Sequence, residues 1–183
     1  SLNGVFNLAG GVDTLNLANF TNTISVSGVE TLTGNSGADT VTFSLAQTAG
    51  TVDLGAGIDK LTLAAAGTNN LTVSNVESVL GAGGTDTVTF TAGLTGTQVN
   101  LGALLDKVVL SNDANEFTAS NVETIVGGTG DDTITFAAAI AGTTSFTGGA
   151  GTDELRIFNG ANTFSLSDNT IELITGNSGA DSI

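Results

Sequence analysis

Carboxylates are the only side chains in this chain equipped for site chemistry: there are 18 Asp and Glu against three Lys and Arg, with neither His nor Cys. Imidazole and thiol chemistry and disulfides are therefore excluded. One aspartate returns again and again behind a glycine turn. The fullest copy is Gly127-Gly128-Thr129-Gly130-Asp131-Asp132-Thr133-Ile134, which fits the nonapeptide G-G-x-G-x-D-x-U-x at every defined position. Glycines permit positive φ and leave their carbonyls uncrowded, and the aspartate sets a carboxylate at the mouth of the turn. Such a cluster of oxygens suits a hard cation, Ca²⁺ above all. The same aspartate can equally cap the turn by accepting its backbone N–H groups.

The pattern recurs through the whole chain. Gly81–Asp86 and Gly148–Asp153 keep it almost intact, and Gly34–Asp39 and Gly176–Asp181 put Asn in place of one glycine. Asp13 and Asp59 follow thinner turns, and before Asp106 the turn has degenerated to Gly102-Ala103-Leu104-Leu105, where a metal is not expected. The candidate metal ligands are thus Asp13, Asp39, Asp59, Asp86, Asp132, Asp153 and Asp181, with the turn glycines Gly127, Gly130, Gly148 and Gly151. Stacked as one column, carboxylates roughly 5 Å apart repel by about 0.8 kcal/mol in water and about 3 kcal/mol at an effective dielectric of 20. A cation or a set of hydrogen bonds must offset this.

A second acidic series, Glu30, Glu77, Glu123 and Glu172, takes the second place in the motifs Val-Glu-Thr-Leu, Val-Glu-Ser-Val, Val-Glu-Thr-Ile and Ile-Glu-Leu-Ile. Its members are copies of one repeat rather than an unequal acid–base pair, and they read as a solvated face. No P-loop is present, and the chain is not expected to be an enzyme.

The elements that carry these residues are strands. After each aspartate, positions +2 and +4 are apolar and their neighbours mostly polar, as in Val41 and Phe43, Val88 and Phe90, or Ile134 and Phe136. This is the alternation of a strand with one buried face. The aspartates at 13, 39, 59, 86, 106, 132, 153 and 181 leave gaps that alternate between about 20 and about 27 residues. The spacing predicts an all-β fold: a parallel β-solenoid, β-helix- or β-roll-like, of about eight coils alternating about 20 and 27 residues and holding about two and about three strands in turn. Residues 1–183 make a single repeat-built domain. The lack of capping repeats leaves open solenoid ends for neighbouring repeats or copies, and the chain reads as an excerpt of a longer array.

Net charge −15 and the lack of a basic face argue against nucleic acid, and no apolar run is long enough for membrane insertion. A hydrophobic share of 40% argues against disorder.

In its glycine–aspartate turns the chain resembles the hemolysin-type calcium-binding (RTX) repeat family of secreted bacterial proteins. The resemblance implies Ca²⁺ held between the turns of adjacent coils, export in a loose state, and folding on calcium outside the cell. The expected function is a calcium-stabilised structural repeat segment of a secreted or bacterial cell-surface protein, a surface-layer protein or adhesin. An alternative is a calcium-dependent secretion module attached to an exported enzyme. The outward threonine pairs Thr40/Thr42, Thr87/Thr89 and Thr133/Thr135 raise a further one, an ice-binding solenoid, against which stands their interruption at every other coil.

Overall fold

The computed structural model describes residues 1–142, 144–166 and 170–183, and the only regular secondary structure among them is strand. Eighteen short strands form two parallel sheets. The first sheet runs, neighbour to neighbour, β1 (Asn3–Asn7), β3 (Thr23–Ser27), β5 (Thr40–Phe43), β7 (Lys60–Thr62), β9 (Ser78–Ala82), β11 (Thr95–Gly102), β13 (Glu116–Ser120), β15 (Thr133–Phe136), β17 (Glu154–Arg156) and β18 (Leu173–Thr175). The second runs β2 (Thr14–Asn16), β4 (Thr31–Thr33), β6 (Gly50–Asp53), β8 (Asn70–Ser74), β10 (Thr87–Phe90), β12 (Lys107–Val109), β14 (Thr124–Val126) and β16 (Ser145–Thr147). The chain thus winds as a flattened parallel β-solenoid of about eight turns, crossing once from sheet to sheet on each side.

The predicted apolar columns line the interior. Val41, Phe43, Leu61, Val88, Phe90, Val108, Ile134 and Leu155 are all buried, and so are Val52, Leu54, Val99, Leu101 and Phe146 from the preceding strands. Strand alternation sends every second side chain inward, and the opposing sheets meet in one continuous core. Its rings pack edge to face: Phe136 and Phe146 lie 5.1 Å apart between centroids, and Phe146 and Phe164 5.6 Å.

The winding is more regular than the aspartate spacing suggests. Strand registers such as Thr14↔Thr31, Asn3↔Thr23, Lys60↔Ser78 and Thr133↔Glu154 give coils of 17 to 21 residues throughout, with one strand in each sheet up to β17; beyond it the bridge between Thr163 and Ser182 stands in for second-sheet strands. The alternation of 20 and 27 belongs to the aspartates and not to the coils. Asp39 and Asp59 lead into β5 and β7 of the first sheet, Asp86 and Asp106 into β10 and β12 of the second, and Asp132 and Asp153 into β15 and β17 of the first again. A gap of 20 or 21 is one coil on one edge. A gap of 26 or 27 crosses to the opposite edge.

Candidate functional site

Two carboxylate ladders run along the opposite edges of the solenoid, at the corners where the chain enters each sheet. Along the first, Leu2 N–H donates to Asn22 Oδ1 (2.8 Å), Asn22 N–H to Asp39 Oδ1 (2.9 Å), Asp39 N–H to Asp59 Oδ1 (2.6 Å) and Asp59 N–H to Glu77 Oε2 (2.7 Å). The set repeats from Leu94 through Asn115, Asp132 and Asp153 to Glu172. The second edge carries the same series from Gln47 through Asn69, Asp86 and Asp106 to Glu123. It also carries its closing part, Asp13 to Glu30, and its opening part, Ile140 through Asn162 to Asp181. Each rung's side chain therefore accepts the backbone N–H of the rung one coil before it. This spans coils, whereas the hydrogen-bonded reading of the sequence had each carboxylate serve its own turn.

The order Asn–Asp–Asp–Glu has a reason at each place. The asparagine needs donors as well as an acceptor: Asn22 Nδ2 reaches Asp39 Oδ1 at 2.8 Å and the carbonyls of Ala18 and Phe20 at 3.0 and 2.5 Å. Asn69, Asn115 and Asn162 do the same in their own loops. The glutamate closes each set with a longer reach. Glu30, Glu77 and Glu123 are half-buried and bonded, and Glu172 is bonded though exposed, so this series is the last rung of the ladders, and its first three members are not the solvated face expected of them.

The aspartates are sealed in. Asp39, Asp59, Asp86, Asp106, Asp132 and Asp153 are all buried, Asp13 is half-buried and Asp181 exposed. Asp106, despite its degenerate turn, occupies the same place as Asp59 and Asp153. Glycine makes the seal possible. A Cβ at Gly34, Gly81 or Gly127 would stand 2.7–2.8 Å from Oδ2 of Asp39, Asp86 or Asp132, and one at Gly148 would meet Asp153 Oδ2. In Asp13 and the six buried aspartates, Oδ2 is buried without a donor among the described residues.

Burial with one oxygen unpartnered disfavours the charged form. Loss of solvent pushes Asp59 from its ordinary 3.8 up to about 6, against the opposing bond from Asp39 N–H and with added repulsion from Glu77 and Asp39. Desolvation takes Asp106 to about 7 in the same way, with Asp86 and Glu123 repelling it. Asp132 and Asp153 are also raised, again chiefly by desolvation. The folded values lie above the unfolded ones, so the native state holds extra protons. The associated stability is full below about pH 4 and is lost as pH rises through 6 to 7. Thermal melts at constant ionic strength are therefore expected to give a midpoint that falls from pH 4.5 to pH 8. Asp106→Asn keeps the acceptor for Asp86 N–H and is expected to flatten that fall; an unchanged slope would show that this rung does not titrate there.

Between rungs, the residues do not suit a calcium ion, because an N–H occupies the space in front of each bonded Oδ1. The unpartnered Oδ2 atoms are the feature that suits a cation, with the turns of Gly127–Gly130 and Gly148–Gly151 beside Asp132 and Asp153. Among the described residues no three acidic side chains converge into a metal-binding group. The lysines that follow Asp59 and Asp106 form no ion pair there; Arg156–Glu154, at 2.8 Å on the surface, is the pair present among the described residues.

The asparagines escaped the sequence reading, although a signal was there. Asn22, Asn69, Asn115 and Asn162 recur at steps of 47, 46 and 47, and the first three precede the first aspartate of their set by 17 residues. That step is two and a half coils, so successive sequence repeats begin on opposite edges.

Fold and ladders together define the class: a two-sheet parallel β-solenoid with hydrogen-bonded carboxylate edges. Comparison with protein-family models, with curated proteins and with solved structures finds no match to this chain.

Proposed function

We propose that this chain is a structural repeat segment of a secreted or cell-surface bacterial protein, of surface-layer or adhesin type, and that calcium outside the cell stabilises it. The observation that carries the reading is the pair of ladders, which spend nearly every buried acidic residue on holding one coil to the next. A design of that kind makes a stiff, extensible rod. The threonine pairs lie on both sheets in turn, Thr40 and Thr42 on the first and Thr87 and Thr89 on the second, which favours the rod over a single flat ice-binding face. Among the described residues no helix is long and apolar enough to cross a membrane.

Calcium enters this reading through the seven unpartnered Oδ2 atoms. At neutral pH the ionisation of Asp59, Asp106, Asp132 and Asp153 costs stability, and a cation drawn to Asp132, Asp153 and the carbonyls of their glycine turns would offset it. Circular dichroism melts with calcium, with magnesium and with chelator, at pH 5 and pH 8, test both parts. The expected result is a β signal present in chelator, with a melting midpoint raised by calcium at pH 8 and little changed at pH 5, where protons already do the work. A midpoint indifferent to calcium at pH 8 removes the metal and leaves the rod. Loss of β signal at pH 5 in chelator would overturn the hydrogen-bonded rod itself.

A further inference from the structure

The two long edges of the solenoid carry apolar side chains that its core does not use. Ile58 is 80% exposed at the tip of the corner just before buried Asp59, and Leu105, 66% exposed, holds the same place before Asp106 with Leu104 exposed beside it. The two tips are one repeat apart and lie on opposite edges. Two residues beyond each tip is a lysine, Lys60 and Lys107, exposed and without an ion pair among the described residues. One coil further on stands a glutamate: β7 pairs with β9 in the register Lys60↔Ser78 and β12 with β14 in the register Lys107↔Thr124, which brings Glu77 and Glu123 alongside. Each glutamate gives Oε2 to its ladder, and its Oε1 has no donor among the described residues.

Charge selects what can cover these tips. With 18 acidic side chains against three basic ones, two copies of this chain repel wherever carboxylates alone meet. Arg156 is held by Glu154, which stands in the lysine's place one repeat on, so Lys60 and Lys107 are the basic side chains left free among the described residues. Both stand at an edge tip, beside an exposed apolar residue. An edge with a lysine on one coil and a glutamate on the next, about 4.8 Å away, is complementary to itself when turned end for end.

We infer that the edges are lateral contacts between copies of this chain, the first edge of one rod lying against the first edge of another that runs the opposite way. The two-fold axis stands normal to the sheets, midway between the coils of Lys60 and Glu77. It sets Lys60 against Glu77 Oε1 of the second copy and Glu77 against the second copy's Lys60, and the two Ile58 side chains cover each other between them. The second edge does the same through Leu105, Lys107 and Glu123. Since each edge mates with its own kind, a rod takes one neighbour on either side, and copies continue into a layer of rods alternating in direction. The apolar contact supplies the attraction and the charges set the orientation, because surface ion pairs contribute little by themselves. Such a layer rests on the chain being a structural rod, and it needs no metal.

Cross-linking through a single introduced cysteine tests the contact, since the chain has none of its own and a two-fold brings each tip residue to its own mate. Ile58→Cys and Leu105→Cys, treated with oxidised glutathione in chelator, are each expected to form a covalent dimer at least tenfold faster than Thr51→Cys, which is exposed on the outer face of the second sheet. The double variant Ile58→Cys/Leu105→Cys is expected to run on beyond the dimer. Lys60→Glu is expected to slow the Ile58→Cys reaction at least tenfold, to leave the Leu105→Cys reaction unchanged, and to leave the circular dichroism as it was. Should Ile58→Cys disturb its turn, Leu105→Cys with Lys107→Glu carries the same test on the other edge. Tip cysteines that link no faster than Thr51→Cys, or a rate indifferent to the charge reversal on the same edge, would overturn the proposal. A variant that keeps its β signal in chelator and fails to cross-link removes the edge contact and leaves the rod, whereas loss of that signal in the wild type strikes the rod itself.

Discussion

Val88→Asp is expected to open the middle of the solenoid with or without calcium. Val88 is fully buried in β10, facing Leu71 of β8 on one side and Val108 of β12 on the other. The backbone groups around it are already committed to the parallel ladder, so a carboxylate there finds no donor. Burying an unpartnered polar group costs about 2–7 kcal/mol, and an ionised one far more. Against a typical total of about 5–15 kcal/mol, that is enough to unfold the neighbouring coils. Stacked repeats fail locally before they fail globally, so the damage should be read by hydrogen exchange and limited proteolysis over residues 70–110 as well as by the melting curve. Thr89→Asp, one residue along and on the outward face, is the control: near wild-type protection is expected. Equal damage from both would mean that the alternation of faces in β10 is not what holds this region.

Gly127→Ala is expected to cost about 3 kcal/mol for a single added methyl group. The added Cβ would overlap the Gly148 carbonyl oxygen of the next coil and sit 2.7 Å from Asp132 Oδ2. Overfilling a packed site usually costs about 1–3 kcal/mol, and here the obstacle is backbone held by the next turn, which places the cost at the upper end. Gly10→Ala meets nothing within 4 Å and lies outside the left-handed region, so its midpoint should stay within the scatter of the wild type. Urea denaturation of the two variants side by side separates them. A Gly127→Ala protein as stable as Gly10→Ala would show that the corner has more room than its packing indicates.

Much of this architecture could be read before folding. The period-two columns located the core, and Val41, Phe43, Val88, Phe90, Ile134 and Phe136 are inside where alternation put them. The glycine turns located the corners. What escaped was the difference between one edge and two. An aspartate and its glycine turn look the same in sequence on either side of a flattened coil, because the local chemistry of the corner is the same; only the strand register tells Asp59-to-Asp86, a crossing, from Asp39-to-Asp59, a stacking. The glutamates were misplaced for a related reason. Read as part of a strand after Val76, Glu77 faces outward by alternation, yet it sits at the corner just before β9, where a long side chain turns back and accepts Asp59 N–H. Asn69 offered nothing conspicuous to the eye, and its role follows from being one coil before Asp86.

The half-coil in each 47-residue repeat gives the rod a symmetry. Each copy is carried onto the next by a half-turn about the long axis together with an advance of two and a half coils, roughly 12 Å at ~4.8 Å per strand. That operation is a two-fold screw. Any tendency of one copy to bend the rod towards its own acidic edge is answered by the next copy bending it the other way, so curvature cancels over two repeats. Gain or loss of a single repeat leaves the line straight but exchanges front and back for everything beyond it. A feature that must face one direction is preserved only when repeats come and go in pairs.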